Sequence, residues 1–198
     1  MKQGRLHYEA LVLSASAGGM QHIRALLLAL PRDFPLATVV VQHVAERFDE
    51  RWVRHLDQLA AVRVKEAEEK EPLLPGHDYL APGDYHLLVE AGRTFSLSTE
   101  ERVNFARPSI DVLFGTAGDA YGPALVGVVL SGGSADGALG LKHINQRGGL
   151  TVVQDPATAE APAMPLAAMQ ACPPDHLLSP AAMLQLLIHI HREQCPTS

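Results

Sequence analysis

Residues 8–43 read YEALVLSASAGGMQHIRALLLALPRDFPLATVVVQH, and this stretch decides the fold. Tyr8–Ser14 (YEALVLS) is a short apolar run closing on small residues, the pattern of a parallel strand buried on both faces. Met20, Ile23, Leu26, Leu27 and Leu30 then recur at helical spacing, and Pro31 stands just beyond as a stop. Leu36–Gln42 (LATVVVQ) is continuous and β-branched, a second strand, and Phe48, Trp52, Leu56 and Leu59 mark one face of a second helix. Two strand-then-helix units in succession predict a βαβ sheet.

Working outward, Val62–Glu66 reads as a further strand. Pro72, Pro75-Gly76, Pro82-Gly83 and Gly92 then punctuate the short pieces DYLA, HLLVE and TFSLST, which predicts an antiparallel hairpin region inserted beside the main sheet. The acidic run Glu66–Glu71 reads as a solvated loop face. Arg107-Pro108-Ser109 opens a helix with the apolar face Ile110, Leu113, Phe114, Ala117 and Tyr121. Ala124–Ser131 (ALVGVVLS) is the third strong strand, followed by GGSADG, a helix around Ala138–Gln146 and a strand over Leu150–Gln154. A helix over Met164–Ala171 comes next, and Ser179-Pro180 carries the N-cap and first-turn proline expected ahead of Met183, Leu184, Leu187 and Ile188. The fold class is therefore α/β, a doubly wound, mainly parallel sheet in three layers with an antiparallel hairpin insertion.

The chain has 198 residues, the size of one domain, and its 47% hydrophobic and 19% charged content supports a packed core rather than disorder. Sixteen Lys and Arg against 22 Asp and Glu give a net charge of −6, which argues against nucleic acid or an anionic membrane as partner. No apolar run approaches the roughly 20 residues of a membrane span, and MKQGRLHYEA lacks the apolar core of a secretory signal, so a cytoplasmic protein with no membrane insertion is expected. Cys172 and Cys195 form no C-x-x-C pair, and neither a disulfide scaffold nor a zinc knuckle is predicted. The sequence sets no oligomeric state; a monomer suffices.

Ligands and reactive groups of parallel α/β sheets collect at the carboxyl ends of the strands. The first strand ends in Ser14-Ala15-Ser16-Ala17-Gly18-Gly19, nearly the G-x-S-x-G elbow that exposes a serine hydroxyl beside backbone N–H groups, with Ser14 where the first glycine would be. The second ends in Gln42-His43 and the third in Ser131-Gly132-Gly133-Ser134-Ala135-Asp136-Gly137. A nucleophile, a base and a carboxylate thus leave three strands at one sheet edge, as a serine hydroxyl requires if an imidazole is to take its proton and a carboxylate is to orient that imidazole. Each has a bland reading: Ser16 as a helix N-cap, His43 as a partly buried loop histidine, Asp136 as the N-cap of the helix after it. Together the three favour a hydrolase. Phosphate or nucleotide binding at the glycine-rich turns competes, but neither SASAGG nor GGSADG is a Walker A loop or a full G-x-G-x-x-G. His189 and His191 fall on different faces of the last helix and read as a surface helix end; His77 and His86 flank the hairpin region, and no metal site is expected from them.

At these residues the chain resembles the catalytic domain of the chemotaxis protein-glutamate methylesterases, the CheB-type family. SASAGG resembles the family's G-A-S-[TS/A]-G-G, VVVQHVAERF its strand ending in Q-H, and KEAEEKEPLLPGHDYLAPGDYHL its P-G-x-x-Y-x-A-P-G-x-x-H segment. RPSIDVLF, VLSGGSADGALG and TVVQDPATAEAPAMP follow in the family's order, so the likeness runs from about Leu11 to Ser179. The resemblance implies Ser16 as nucleophile, His43 as general base and acid, and Asp136 as the residue orienting His43. It also implies hydrolysis of γ-glutamyl methyl esters on a methyl-accepting chemotaxis receptor, with deamidation of receptor glutamines as a companion activity and no cofactor or metal. Backbone N–H groups near Ala17, His43 or Gly133 would form the oxyanion hole. Asp155 and Met164 either line the site or serve as a turn and a core residue. Arg107 either meets an acidic receptor stripe or belongs to a helix turn, with Pro108 early in the helix and Asp111 solvated.

Three departures from the family pattern stand out. Only fifteen residues precede Ser16, where the family carries a receiver domain, so control by aspartyl phosphorylation within the chain is not expected, and Met1 favours a naturally short protein. The family's T-G-M-G-x-D-G reads SGGSADG, and the missing side chain at Gly133 is expected to widen the site and loosen its packing. Ser14 replaces a glycine two residues before the nucleophile and is expected to crowd the elbow. A second reading keeps the fold without the chemistry: an adaptor that docks on receptor helices.

Overall fold

The computed structural model describes residues 7–43 and 50–195. Its strands are β1 (Ala10–Ala15), β2 (Ala37–Gln42), β3 (Arg63–Glu66), β4 (His77–Leu80), β5 (His86–Val89), β6 (Phe95–Ser98), β7 (Leu125–Val129), β8 (Leu150–Gln154) and β9 (His176–Leu178). Its helices are α1 (Met20–Ala29), α2 (Glu50–Leu59), α3 (Ile110–Tyr121), α4 (Ala138–Gln146), α5 (Ala163–Ala171) and α6 (Pro180–Gln194). Among the described residues no helix is long and apolar enough to cross a membrane.

Seven strands form one parallel sheet in the order β3-β4-β2-β1-β7-β8-β9. Every residue of β1, β2 and β7 is buried, which is why these segments are mostly Val, Leu and Ala, without the apolar–polar alternation of a half-exposed strand. One face of the sheet carries α3, α4 and α5 through Ile110, Leu113, Phe114, Leu141, Ile144 and Ala168. The other carries α1, α2 and α6 through Ile23, Leu27, Leu56, Met183, Leu187 and Ile190. Each Ile, Leu, Phe or Met among them contributes roughly 1.5–3 kcal/mol when fully buried. The chain runs outward from β1 to β2, then returns to place β7 on the opposite side of β1. That reversal opens a crevice at the carboxyl ends of β1 and β7, the usual ligand position in this architecture.

The hairpin insertion is β5 paired antiparallel with β6, and it packs Leu87, Val89 and Phe95 into the α3 side of the core. The DYLA piece assigned to that region belongs instead to β4, which sits in the main sheet, parallel to β2 and β3. On α2, Leu56 is fully buried, Leu59 is half exposed, and Phe48 lies outside the described residues. The crowding expected at Ser14 does not arise, because its side chain fits inside β1 and the hydroxyl donates to Val128 O at 3.1 Å.

Asp78 opens a pH dependence. It is buried in β4, in register with Thr38 of β2, and its Oδ2 has no hydrogen-bond partner among the described residues. Burial pushes its carboxyl up to about 7, against a small lowering by Thr38. The folded chain therefore holds this proton more tightly than the unfolded one. The stability it confers is complete below the unfolded value near 3.8 and is lost as pH rises through about 7. Asp78→Asn, neutral throughout, is expected to gain on the wild type from pH 4 to 7 by up to about 4 kcal/mol and to hold that lead above pH 7. Urea unfolding of both proteins from pH 5 to 8 checks it; a constant difference would show that Asp78 is ionised in the folded chain.

Candidate active site

Three segments meet at the crevice. After β1 the chain turns through Ser16-Ala17-Gly18-Gly19 into α1, and Ser16 N donates to Ser131 O at 2.9 Å, tying the turn to the end of β7. Gly18 has φ +72° under the Glu160 side chain, and a Cβ on Gly19 would lie 2.3 Å from Ala15 Cβ, so this turn needs both glycines. After β2, His43 N donates to Ala15 O at 3.0 Å, and buried Gln42 donates through Nε2 to Ser16 O (2.9 Å) and His43 O (3.3 Å). Ser16 and His43 are thus held side by side through the backbone. Among the described residues the Ser16 hydroxyl makes no hydrogen bond of its own.

After β7, Ser131 and Gly132 are stitched to the segment entering α5. Ser131 Oγ donates to Ala17 O at 2.8 Å and accepts from Ala161 N at 2.9 Å, Gly132 N donates to Ala161 O, and Met164 N donates to Gly132 O. A Cβ on Gly132 would fall 1.9 Å from Met164 Sδ and 2.9 Å from Ser16 Cβ, so only glycine fits against the Ser16 turn. Met164 is buried here as a packing wall, while Asp155 forms a turn, accepting from Ala157 N at 2.9 Å. A Cβ on Gly133 would meet nothing within 4 Å, so the missing side chain leaves open space at the mouth of the crevice without disturbing any packing.

Asp136 is brought to His43 from the far side: Oδ2 lies 3.0 Å from His43 Nε2, with the imidazole 16% exposed and the carboxylate fully buried. The two atoms are in close contact without meeting hydrogen-bond geometry, and such catalytic contacts commonly align only in the substrate complex. Ser16, His43 and Asp136 therefore gather at one crevice.

Asp136 does not cap the helix that follows it. Its oxygens accept from Ile110 N (2.7 Å), Asp111 N (3.1 Å), Ser109 Oγ (2.9 Å) and Asn104 Nδ2 (3.0 Å), so it closes the first turn of α3. Asp111 returns the favour, accepting from Gly137 N (2.9 Å) and Gly140 N (2.7 Å) at the start of α4. The two carboxylates cap each other's helices, so Asp111 is not solvated as the helix-turn reading of this segment had it: burial raises its carboxyl, countered by hydrogen bonds from Gly140, Asn104 and Gly137 and aggravated by the Asp136 charge. For Asp136, burial pushes upward, but the close His43 Nε2 and the hydrogen bonds from Asn104, Ile110 and Asp111 prevail and hold it at about 2. It stays a carboxylate at any physiological pH.

Sequence reasoning missed the supports behind Asp136. His86 is buried, with Nδ1 accepting from Ser109 N at 3.2 Å and Nε2 facing Glu101 O at 2.9 Å, so it fixes the serine that fixes Asp136. It closes the P-G-x-x-Y-x-A-P-G-x-x-H segment, a signal in plain view; His77, the other hairpin histidine, stacks on Tyr79 instead. Asn104 bridges Asp136 and Asp111 (2.9 Å) from a left-handed position at φ 51°, and nothing local in the sequence marks it. Arg107 donates to Thr99 O and Glu100 O, pinning the loop before α3. Pro108 precedes the helix N-cap Ser109 rather than entering the helix. His43 N is committed to Ala15 O and drops out of the expected oxyanion donors, whereas among the described residues Ala17 N–H and Gly133 N–H donate to no acceptor.

The CheB methylesterase family profile matches residues 11–187. A Leptospira interrogans protein provisionally named protein-glutamate methylesterase/protein-glutamine glutaminase is 49% identical over 93% of this chain and 96% of its own length. The Cupriavidus pinatubonensis protein-glutamate methylesterase/protein-glutamine glutaminase 2 is 41% identical over 81% of the chain, and the Myxococcus xanthus protein-glutamate methylesterase FrzG is 38% identical over 80%. The chain spans about half the length of these last two, 46% and 47%. The crystal structure of the Thermotoga maritima CheB methylesterase catalytic domain superposes with a TM-score of 0.87 at 31% identity, covering 92% of this chain and 98% of that one. With a sequence profile across most of its length and this architecture behind it, the chain belongs to the CheB methylesterase family.

Proposed function

We propose that the protein hydrolyses γ-glutamyl methyl esters on a chemoreceptor through Ser16, His43 and Asp136, and deamidates glutamine side chains at the same site. The observation carrying this reading is the 3.0 Å contact of His43 Nε2 with the buried Asp136 carboxylate beside the Ser16 turn. With Nε2 against Asp136, Nδ1 is the nitrogen free to accept the Ser16 proton. Ser16 Oγ attacks the ester carbonyl and His43 takes its proton. The tetrahedral oxyanion is held by Ala17 N–H and Gly133 N–H, each such donor being worth about 3–4 kcal/mol. The C–O bond to methoxide breaks, the imidazolium protonates the departing methoxide to methanol, and water activated by His43 then releases glutamate from the acyl-enzyme. With a primary amide the leaving group is ammonia. Asp136, ionised throughout, holds the imidazole and offsets its charge.

A protein substrate suits this crevice. Phe105, 95% exposed, follows Asn104, and Leu139, 67% exposed, stands three residues after Asp136, giving two exposed apolar side chains close in sequence to residues of the site. Methanol release from methyl-esterified receptor cytoplasmic fragments tests the proposal. Wild type is expected to release methanol; binding of the fragments without release would hand the reading to the adaptor.

Asn104 supplies a sharper expectation, because its amide separates two carboxylates. Asn104→Ala should lower kcat roughly tenfold, the scale of one charge-assisted hydrogen bond. Asn104→Asp, closer in shape, should be worse because it adds a third negative charge. If the Asp variant retains more activity than the Ala variant, Asn104 acts through shape rather than charge.

A further inference from the structure

We propose that Asp33, His191 and Cys195 form a binding site for a borderline-soft divalent cation, zinc above all, at the end of the molecule opposite the catalytic crevice. His191 and Cys195 are four residues apart at the end of α6, which puts both side chains on one helix face. Asp33 reaches the same point from the turn between α1 and β2, and one donor atom from each residue lies within 4.8 Å of the others. His191 Nε2 is 3.0 Å from Asp33 Oδ1. Zinc–ligand bonds of about 2.0–2.3 Å in tetrahedral geometry place neighbouring donors roughly 3.3–3.6 Å apart, so a small inward movement of the thiol completes the set.

Both halves of the site are held by the fold. The Pro31–Phe34 turn is closed by Phe34 N donating to Pro31 O at 3.0 Å, and the Phe34 side chain is buried in the core. The last turn of α6 is clamped by Gln194, which accepts from Tyr8 N at 2.7 Å and donates to Tyr8 O at 2.9 Å. The ligands therefore converge without ordering a loop. A histidine–aspartate ion pair alone would explain two of the three groups. It leaves the thiol with only a 3.7 Å contact to Asp33 O.

The donor chemistry chooses the ion. One imidazole nitrogen, one thiolate and one carboxylate oxygen favour zinc over magnesium or calcium, which take oxygen ligands almost exclusively. On binding, the Cys195 thiol gives its proton to solvent, Nε2 offers its lone pair, Oδ1 exchanges its contact with the imidazole for the metal, and water takes the fourth position. Asp33 precedes β2 and Tyr8 precedes β1, whereas Ser16 and His43 follow those strands. The ion is thus a clip joining the C-terminal helix to the loop before β2, and takes no part in ester hydrolysis.

Zinc titration of the tag-free full chain by calorimetry, with cobalt absorption spectroscopy alongside, tests the proposal. Wild type should bind one ion, show a thiolate-to-cobalt charge-transfer band and gain thermal stability with zinc. Cys195→Ser should lose the band and the zinc-dependent gain while keeping the wild-type Tm without metal and the same esterase rate. His191→Ala should weaken binding at least about tenfold. If Cys195→Ser folds poorly, Asp33→Asn carries the same affinity test. No one-to-one binding, a cobalt spectrum without a sulfur band, or a band that survives Cys195→Ser would each overturn the assignment.

Discussion

Ser16→Ala is expected to abolish methanol release, lowering kcat by about 10⁴-fold or more, the scale on which removal of an activated serine acts. The fold should not notice. Among the described residues the Ser16 hydroxyl bonds to nothing, and the turn around it is fixed by backbone contacts, Ser16 N to Ser131 O and Gln42 Nε2 to Ser16 O. Thermal stability should therefore stay within about 0.5 kcal/mol of wild type. Receptor binding should survive, because the exposed apolar side chains of Phe105 and Leu139 are untouched. The signature is a loss in kcat at unchanged affinity for a methylated receptor fragment, measured by turnover and by direct binding. A variant that still releases methanol at a tenth of the wild-type rate would remove Ser16 from the nucleophile's role.

Asp136→Asn is expected to cost about 10³–10⁴-fold in kcat and to destabilise the fold as well. The two losses have separate causes. In the reaction, an amide cannot offset the imidazolium, and it presents an N–H where His43 Nε2–H needs an acceptor. In the fold, the carboxylate receives Ile110 N, Asp111 N, Ser109 Oγ and Asn104 Nδ2, and an amide nitrogen turned toward any of them leaves a buried donor without an acceptor. That costs about 1–3 kcal/mol. Ser109→Ala gives the comparison, since it removes one fold contact while leaving the charge. It should lower Tm with a far smaller change in kcat. Equal kcat losses in the two variants would mean that Asp136 matters only as the cap of α3.

Much of this architecture was legible because it is local. The face Ile110, Leu113, Phe114, Ala117 and Tyr121 reads as a helix from spacing alone, and all five side chains are buried in α3. The runs over β1, β2 and β7 read as buried parallel strands because every position in them faces a helix layer or a neighbouring strand. β4 misled for the opposite reason: His77–Leu80 is short, lies between Pro75-Gly76 and Pro82-Gly83, and owes its place to pairing with β2 and β3, which no local pattern encodes. β9, three residues long, carries no period to detect.

The candidate site divides along the same line. Ser16, His43 and Asp136 could be named because strands of known direction deliver them to one edge. The exchange of caps between Asp136 and Asp111 could not, since it depends on how α3 and α4 meet. The same holds for Asn104, and for Asp33, which meets His191 and Cys195 across 158 and 162 positions of sequence.

Labelling with a fluorophosphonate, followed by peptide mass mapping, tests the central claim most directly. The reagent phosphonylates only a serine whose proton a neighbouring base removes. Wild type is expected to take up one phosphonyl group, on the peptide carrying Ser16, and His43→Ala to take up none at matched folding. Modification at another serine, or equal labelling of Ser16 in the His43→Ala variant, would contradict the account.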